Sequence, residues 1–125
     1  MDASISAVLN KPNRRNMEFF AGDAFTLTLT VYATDTEDLN PSDMSASTLT
    51  LKAYPDIPQW RDDYGVVSDN DTPEFTIEGT EGASSSTFTF STSNTEDLVG
   101  RYVYKITKTT GNLTSVLVYG ILTIR

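Results

Sequence analysis

Hard-oxygen ligands are concentrated in one place, where Asp69-Asn70-Asp71 follows Asp62 and Asp63. Carboxylates and amide carbonyls at that density suit a calcium ion. The glycine and the bidentate glutamate of an EF-hand loop are missing at their offsets, so the segment reads as solvated charge, with a weak calcium site as the alternative. The same carboxylates, with Glu78 and Glu81, are acid/base groups, but no spacing singles out a pair. Serines are plentiful, three of them consecutive at Ser84-Ser85-Ser86, yet the chain has no histidine to activate one. Cysteine is also absent, which removes disulfides, thiolate chemistry and the usual zinc ligand sets. The expectation is a protein without catalytic activity, metal or cofactor.

Aromatic side chains offer a second kind of chemistry. The longest irregular stretch, Tyr54 to Gly65, holds Tyr54, Trp60 (the only tryptophan) and Tyr64. Aromatics on a loop stack on sugar rings or anchor a protein interface. They also fold down and cap the end of a sandwich, and the sequence leaves both readings of this candidate ligand loop open, capping being favoured.

The elements that would position these residues are strands. Phe25, Leu27, Leu29 and Val31 alternate with Thr26, Thr28 and Thr30, the period-two pattern of a half-buried strand with threonine facing water. The pattern returns at Leu49, Leu51 and Ala53, at Phe75 and Ile77, and at Phe88 and Phe90. It returns again over Arg101 to Lys108, with Tyr102, Tyr104 and Ile106 on one face. Thr110-Gly111-Asn112 suits a tight hairpin turn into a last strand, Ser115 to Arg125. That strand is apolar on both faces: Val116, Val118, Leu122 and Ile124 in one phase, Leu117, Tyr119 and Ile121 in the other. It is either central in a sheet or a cover for a partner. Ser93 and Glu96 have capping-box spacing, which places one helical turn at Ser93 to Leu98. Asp97 to Tyr104 places an acid, a turn glycine and Tyr102 at a strand start, so Tyr102 is either the hydroxyl that pins the connection between sheets or a core aromatic.

These spacings predict an all-β, antiparallel immunoglobulin-like β-sandwich of about seven strands over 17–125, preceded by an N-terminal arm, 1–16. The expected core is Phe25, Leu27, Leu29, Leu49, Leu51, Phe75, Ile77, Phe88, Phe90, Tyr102, Tyr104 and Ile106. The arm carries Ile5, Val8 and Leu9 beside the cations Lys11, Arg14 and Arg15. With the final strand's Leu117, Tyr119 and Ile121, these residues form the expected partner-binding set. The arm is expected to be mobile alone and fixed on a neighbour.

Length and charge narrow the field. At 125 residues there is room for one domain. Seventeen acidic against nine basic residues, net charge -8, argue against nucleic acid or anionic membrane as partners. The charge is uneven: 14 of the acids fall between Asp35 and Asp97, and none follows Leu98. No apolar run is long enough for a membrane-spanning helix, and the basic residues follow the short apolar patch at the N-terminus where a secretory signal needs them to precede it.

Five stretches carry a family likeness: Gly22-Asp23-Ala24-Phe25-Thr26-Leu27, Leu49 to Tyr54, Thr87-Phe88-Thr89-Phe90-Ser91, Leu98 to Tyr104, and Ser115 to Ile124 with its Tyr119-Gly120. Over about 100 residues the chain resembles small β-domains of tailed-bacteriophage virion proteins, notably the N-terminal domain of upper baseplate proteins and related head-decoration and fibre-base modules. The resemblance implies a non-enzymatic structural role in a virion, reached without a signal peptide from the host cytoplasm. Other virion proteins of the capsid or tail would be its partners, and it would be present as a homo-oligomer or as lattice-bound copies. It carries over no site residues. The sequence departs from the baseplate pattern in ending at Arg125 without a linker or trimeric stalk, which favours a capsid decoration or head accessory protein. The alternatives are a baseplate or tail adaptor and a carbohydrate- or surface-binding module.

Overall fold

Threonine and large apolar residues alternate along the chain, and each such run is a strand with one face buried. The structure is a computed structural model that describes residues 2–9, 13–22, 24–33, 41–55, 73–91 and 96–125. Nine strands lie among them: β1 (Asp2–Val8), β2 (Asn13–Arg14), β3 (Met17–Phe19), β4 (Phe25–Tyr32), β5 (Thr48–Pro55), β6 (Phe75–Glu78), β7 (Ser86–Phe90), β8 (Gly100–Thr110) and β9 (Leu113–Ile124). No helix occurs among the described residues, and therefore none long and apolar enough to cross a membrane.

The strands form two sheets, one of three strands in the order β1-β4-β7 and one of six in the order β2-β9-β8-β5-β6, with β3 also paired to β9. Strands 4 and 7 stand as B and E of an immunoglobulin-type sandwich, and strands 9, 8, 5 and 6 as G, F, C and C′. The expected all-β sandwich is therefore present, with two more strands than about seven.

The core lies between the sheets. Leu27, Leu29, Phe88 and Phe90 from the small sheet meet Leu49, Leu51, Tyr104, Ile106, Val118 and Leu122 from the large one. Ten of the twelve expected core residues are buried; Phe75 and Tyr102 are half-buried and pack on its margin. Phe19, which the sequence pattern did not mark, stacks edge-on against Phe90 with ring centroids 5.0 Å apart. Gly111 turns the last hairpin at φ +60, as the Thr110-Gly111-Asn112 signal requires. The helical turn expected at Ser93 to Leu98 falls partly outside the described residues; Glu96 and Asp97 form a turn.

The N-terminal segment departs most from expectation, because it is strand from Asp2 onward. β1 runs parallel to β4 over its whole length, Asp2 opposite Thr26 through Val8 opposite Tyr32. β2 and β3 then run parallel to β9 on the other sheet. The sandwich is thus mixed rather than antiparallel. Parallel neighbours need a crossover of a dozen residues or more, and the chain between Val8 and Phe25 supplies it by passing to the opposite sheet and back. Ala3, Ile5 and Ala7 face the core while Ser4 and Ser6 face solvent, an alternation made faint by its small residues.

Candidate partner-binding face

The outward face of the small sheet is a carpet of hydroxyls: Ser4, Ser6, Thr26, Thr28, Thr30, Thr87 and Thr89 all lie in positions that alternate with core residues. The outward face of the large sheet is different. Paired residues on neighbouring strands point to the same side, so the register sets Arg14, Tyr119, Lys105 and Lys52 in one row. Ile121, Val103 and Tyr54 form the next row, and Glu18, Thr123 and Arg101 a third.

Half of this face is covered and half is open. Tyr54 is 0% exposed and packs with Val103 in a small cluster separate from the main core. The Lys105 ammonium sits 5.9 Å from the centre of the Tyr54 ring, a cation over an aromatic face, and the side chain is 6% exposed. Toward β9 and β3 the surface opens into a cleft of about 360 Å³ lined by Asn16, Met17, Glu18, Arg101, Ile121 and Thr123. Its floor is Ile121, half-exposed, and its cation is Arg101, exposed on the β8 side. Glu18 on the opposite wall is held by Arg125, Nε to Oε1 at 2.7 Å, which leaves Arg101 as the charge the cleft presents. Just beyond the cleft, where β3 ends and β8 begins, Phe20 is 48% and Val99 66% exposed.

One wall of the cleft depends on how the N-terminal segment grips β9. The Asn13 side chain is buried and donates to the carbonyls of Val8 at 3.1 Å and Leu117 at 2.8 Å, bridging the end of β1 to β9. The Arg15 N–H donates to the Tyr119 carbonyl at 2.9 Å, and the Ile121 N–H donates to Asn16 Oδ1 at 3.0 Å. Between them lies Gly120, where an added Cβ would overlap the Arg15 carbonyl oxygen. That carbonyl accepts a 2.5 Å hydrogen bond from the Tyr104 hydroxyl. Burial pushes the Tyr104 pKa up, with the nearby Arg15 cation pulling the other way, so the phenol keeps its proton and stays a donor.

The predicted site residues separate accordingly. Tyr119 and Ile121 are half-exposed on the open face, with Arg14 exposed and Arg15 half-exposed beside them. Leu117 is buried, correcting the expectation that it faces a partner. The β8–β9 register shifts after Ile106, so Thr107 pairs with Val116 and Leu117 is the extra residue of a bulge, turned into the core beside Val118. Ile5 and Leu9 pack on the core margin and Val8 is half-buried, so they are not the surface of a loose arm. Lys11, Trp60 and Tyr64 lie outside the described residues, as does the Asp62, Asp63, Asp69 to Asp71 acidic group. Tyr54, placed in the candidate ligand loop, is a strand residue with a buried side chain. Tyr102 is half-buried, its ring edge-on to Phe75 at 5.6 Å, and the pinning hydroxyl belongs to Tyr104.

Asn13, Asn16, Gly120 and Tyr104 were not singled out as a group by the sequence. The usable signal was Gly120, since a glycine inside an apolar strand marks the close approach of another backbone. Among the described residues no group of three or more His, Cys, Asp or Glu comes together in a way that suits a metal ion.

No protein-family model matches the sequence, and none of the curated proteins matches it. A looser structural likeness, with TM-score 0.44 and 10% identity over 98% of this chain and 88% of the other, is to auracyanin B and bears on neither fold nor function. Among solved structures the chain is similar over 100% of its length to 99% of the N-terminal domain of phage TP901-1 ORF48, with TM-score 0.51 and 10% sequence identity, a likeness of fold.

Proposed function

We propose that the protein is a non-enzymatic structural module of a tailed-phage virion, which docks on a repeating array of head or tail subunits through the open half of its large sheet. The observation that carries this reading is the end-to-end likeness to a domain of a phage protein. The open face supports it: half-exposed Tyr119 and Ile121, exposed Phe20 and Val99, and the cations Arg14 and Arg101 on a chain of net charge -8. An apolar centre with a charged rim is the anatomy of a protein interface, and the cations favour a partner segment that is acidic.

Within the virion, capsid decoration is the first reading and a tail or baseplate adaptor the second. Burial of Tyr54 takes one aromatic away from the carbohydrate-binding reading. Mass spectrometry of purified particles, with heads and tails separated, tests both levels. The chain is expected in fixed stoichiometry in one fraction, and its absence from particles overturns the proposal. An Arg101→Glu variant is expected to fold normally and to incorporate poorly.

A further inference from the structure

β1 ends the small sheet, and among the described residues no strand pairs its far side. The Leu9 N–H donates to the Tyr32 carbonyl at 2.8 Å, which sets the phase of the parallel ladder. Ala3, Ile5 and Ala7 turn their N–H and C=O groups toward β4, so those of Ser4, Ser6 and Val8 point to the open edge. Natural edges are protected by charge, proline or a bulge. β6 carries Glu78 at its end, and β2 and β3 carry Arg14 and Glu18, whereas the only charge on β1 is Asp2 at its first residue, and Ala3 to Val8 has no charge, no proline and no glycine. Ile5 is only half-buried although it faces the core.

We propose that β1 pairs antiparallel with β1 of a second copy of this chain, about a two-fold axis at Ile5, joining two small sheets into one. The phase allows only axes that pass through a residue, and the axis at Ile5, the centre of Asp2–Val8, is the one that engages the whole strand. Residues whose backbone groups point outward must meet as hydrogen-bonded pairs, which sets Ser4 against Ser6 and Val8 against Asp2, about eight hydrogen bonds in all. Ile5 then faces Ile5 in a non-hydrogen-bonded pair, Cα atoms about 4.5 Å apart, and each covers the exposed side of the other. The occupant is a second copy because a two-fold pairing sets a strand against itself. About an axis at Ile5, β1 is its own complement: Ser4 meets Ser6, Ala3 meets Ala7, Ile5 meets Ile5, and the strand's one charged residue, Asp2, falls opposite Val8 and not opposite a second Asp2. This inference stands apart from the virion reading and does not need it.

Sedimentation equilibrium of the full chain, with Ser4→Pro and Ser6→Pro, tests the pairing. Proline at either position removes an N–H that points to the open edge and none that β4 uses, so the fold is kept while the edge is blocked. The wild type is expected to dimerise, and each proline variant to weaken the dimer at least about tenfold. If a proline variant fails to fold, S4K/S6K replaces it: both side chains are exposed, and the double change sets Lys against Lys across the axis. A wild type that stays monomeric at about 100 µM, a dimer indifferent to these variants, or a β1 edge that takes up other peptides without self-association overturns the inference.

Discussion

The hydroxyl of Tyr104 donates to the main-chain carbonyl of Arg15 across 2.5 Å, tying β8 to the segment between β2 and β3, 89 residues away in sequence. Tyr104 pairs in register with Gly120, so the bond passes beside the one position of β9 with no side chain. Tyr104→Phe keeps the buried ring and leaves the carbonyl without this donor, and should cost about 1 to 2 kcal/mol in urea unfolding. No loss of stability would show that the bond contributes nothing to the grip.

Stability should also fall in alkali. Burial raises the folded-state pKa of Tyr104, and burial followed by the Glu74 charge raises that of Tyr102. A raised pKa means the unfolded chain loses these protons first, near the ordinary tyrosine value of about 10. The contribution is complete below that pH and is lost as pH rises through it. Melting temperatures from pH 8 to 11 should drop on the alkaline side, with a shallower drop in Tyr104→Phe.

At Gly120 the contact is between backbones. Gly120→Ala forces either Arg15 or β9 to move, and should cost about 1 to 3 kcal/mol, as overpacking does. Amide exchange should accelerate at Arg15 and Ile121, whose N–H groups bond across this contact. Unchanged exchange there would place the strain elsewhere.

Deletion of residues 1–16 separates an appended arm from a built-in one. An arm would leave the melting temperature unchanged. This segment supplies β1, β2, the buried Asn13 bridge and the carbonyl that Tyr104 binds. The truncated chain should therefore melt well below the full chain or fail to fold, as circular dichroism would show.

Phe90 reports on the core alone. It is fully buried and touches Phe19, Phe25 and Phe75 edge-on. Phe90→Ala should cost about 3 to 5 kcal/mol by denaturant titration, unless the site collapses to fill the cavity.

Strand existence was legible in the sequence wherever large apolar residues alternate with threonine, as in Phe25 to Val31 and Phe88 to Phe90, because period two is a local property of the pleat. The turn at Gly111 was legible for the same local reason. The role of the N-terminal segment was not, since Ala3 and Ala7 on either side of Ile5 are too small to mark an alternation, and the parallel partner on β4 is reached only after the chain has crossed to the other sheet and back. Nor was the inward turn of Leu117, because a bulge depends on the register of two paired strands and has no residue signature of its own here. The candidate face shows the same division. Tyr119 and Ile121 were visible as the apolar odd phase of the last strand, but whether they meet solvent, core or another strand depends on what lies across the sheet. Tertiary pairing decided that, by laying Arg14 to Phe19 along β9 and leaving the cleft beside Arg101.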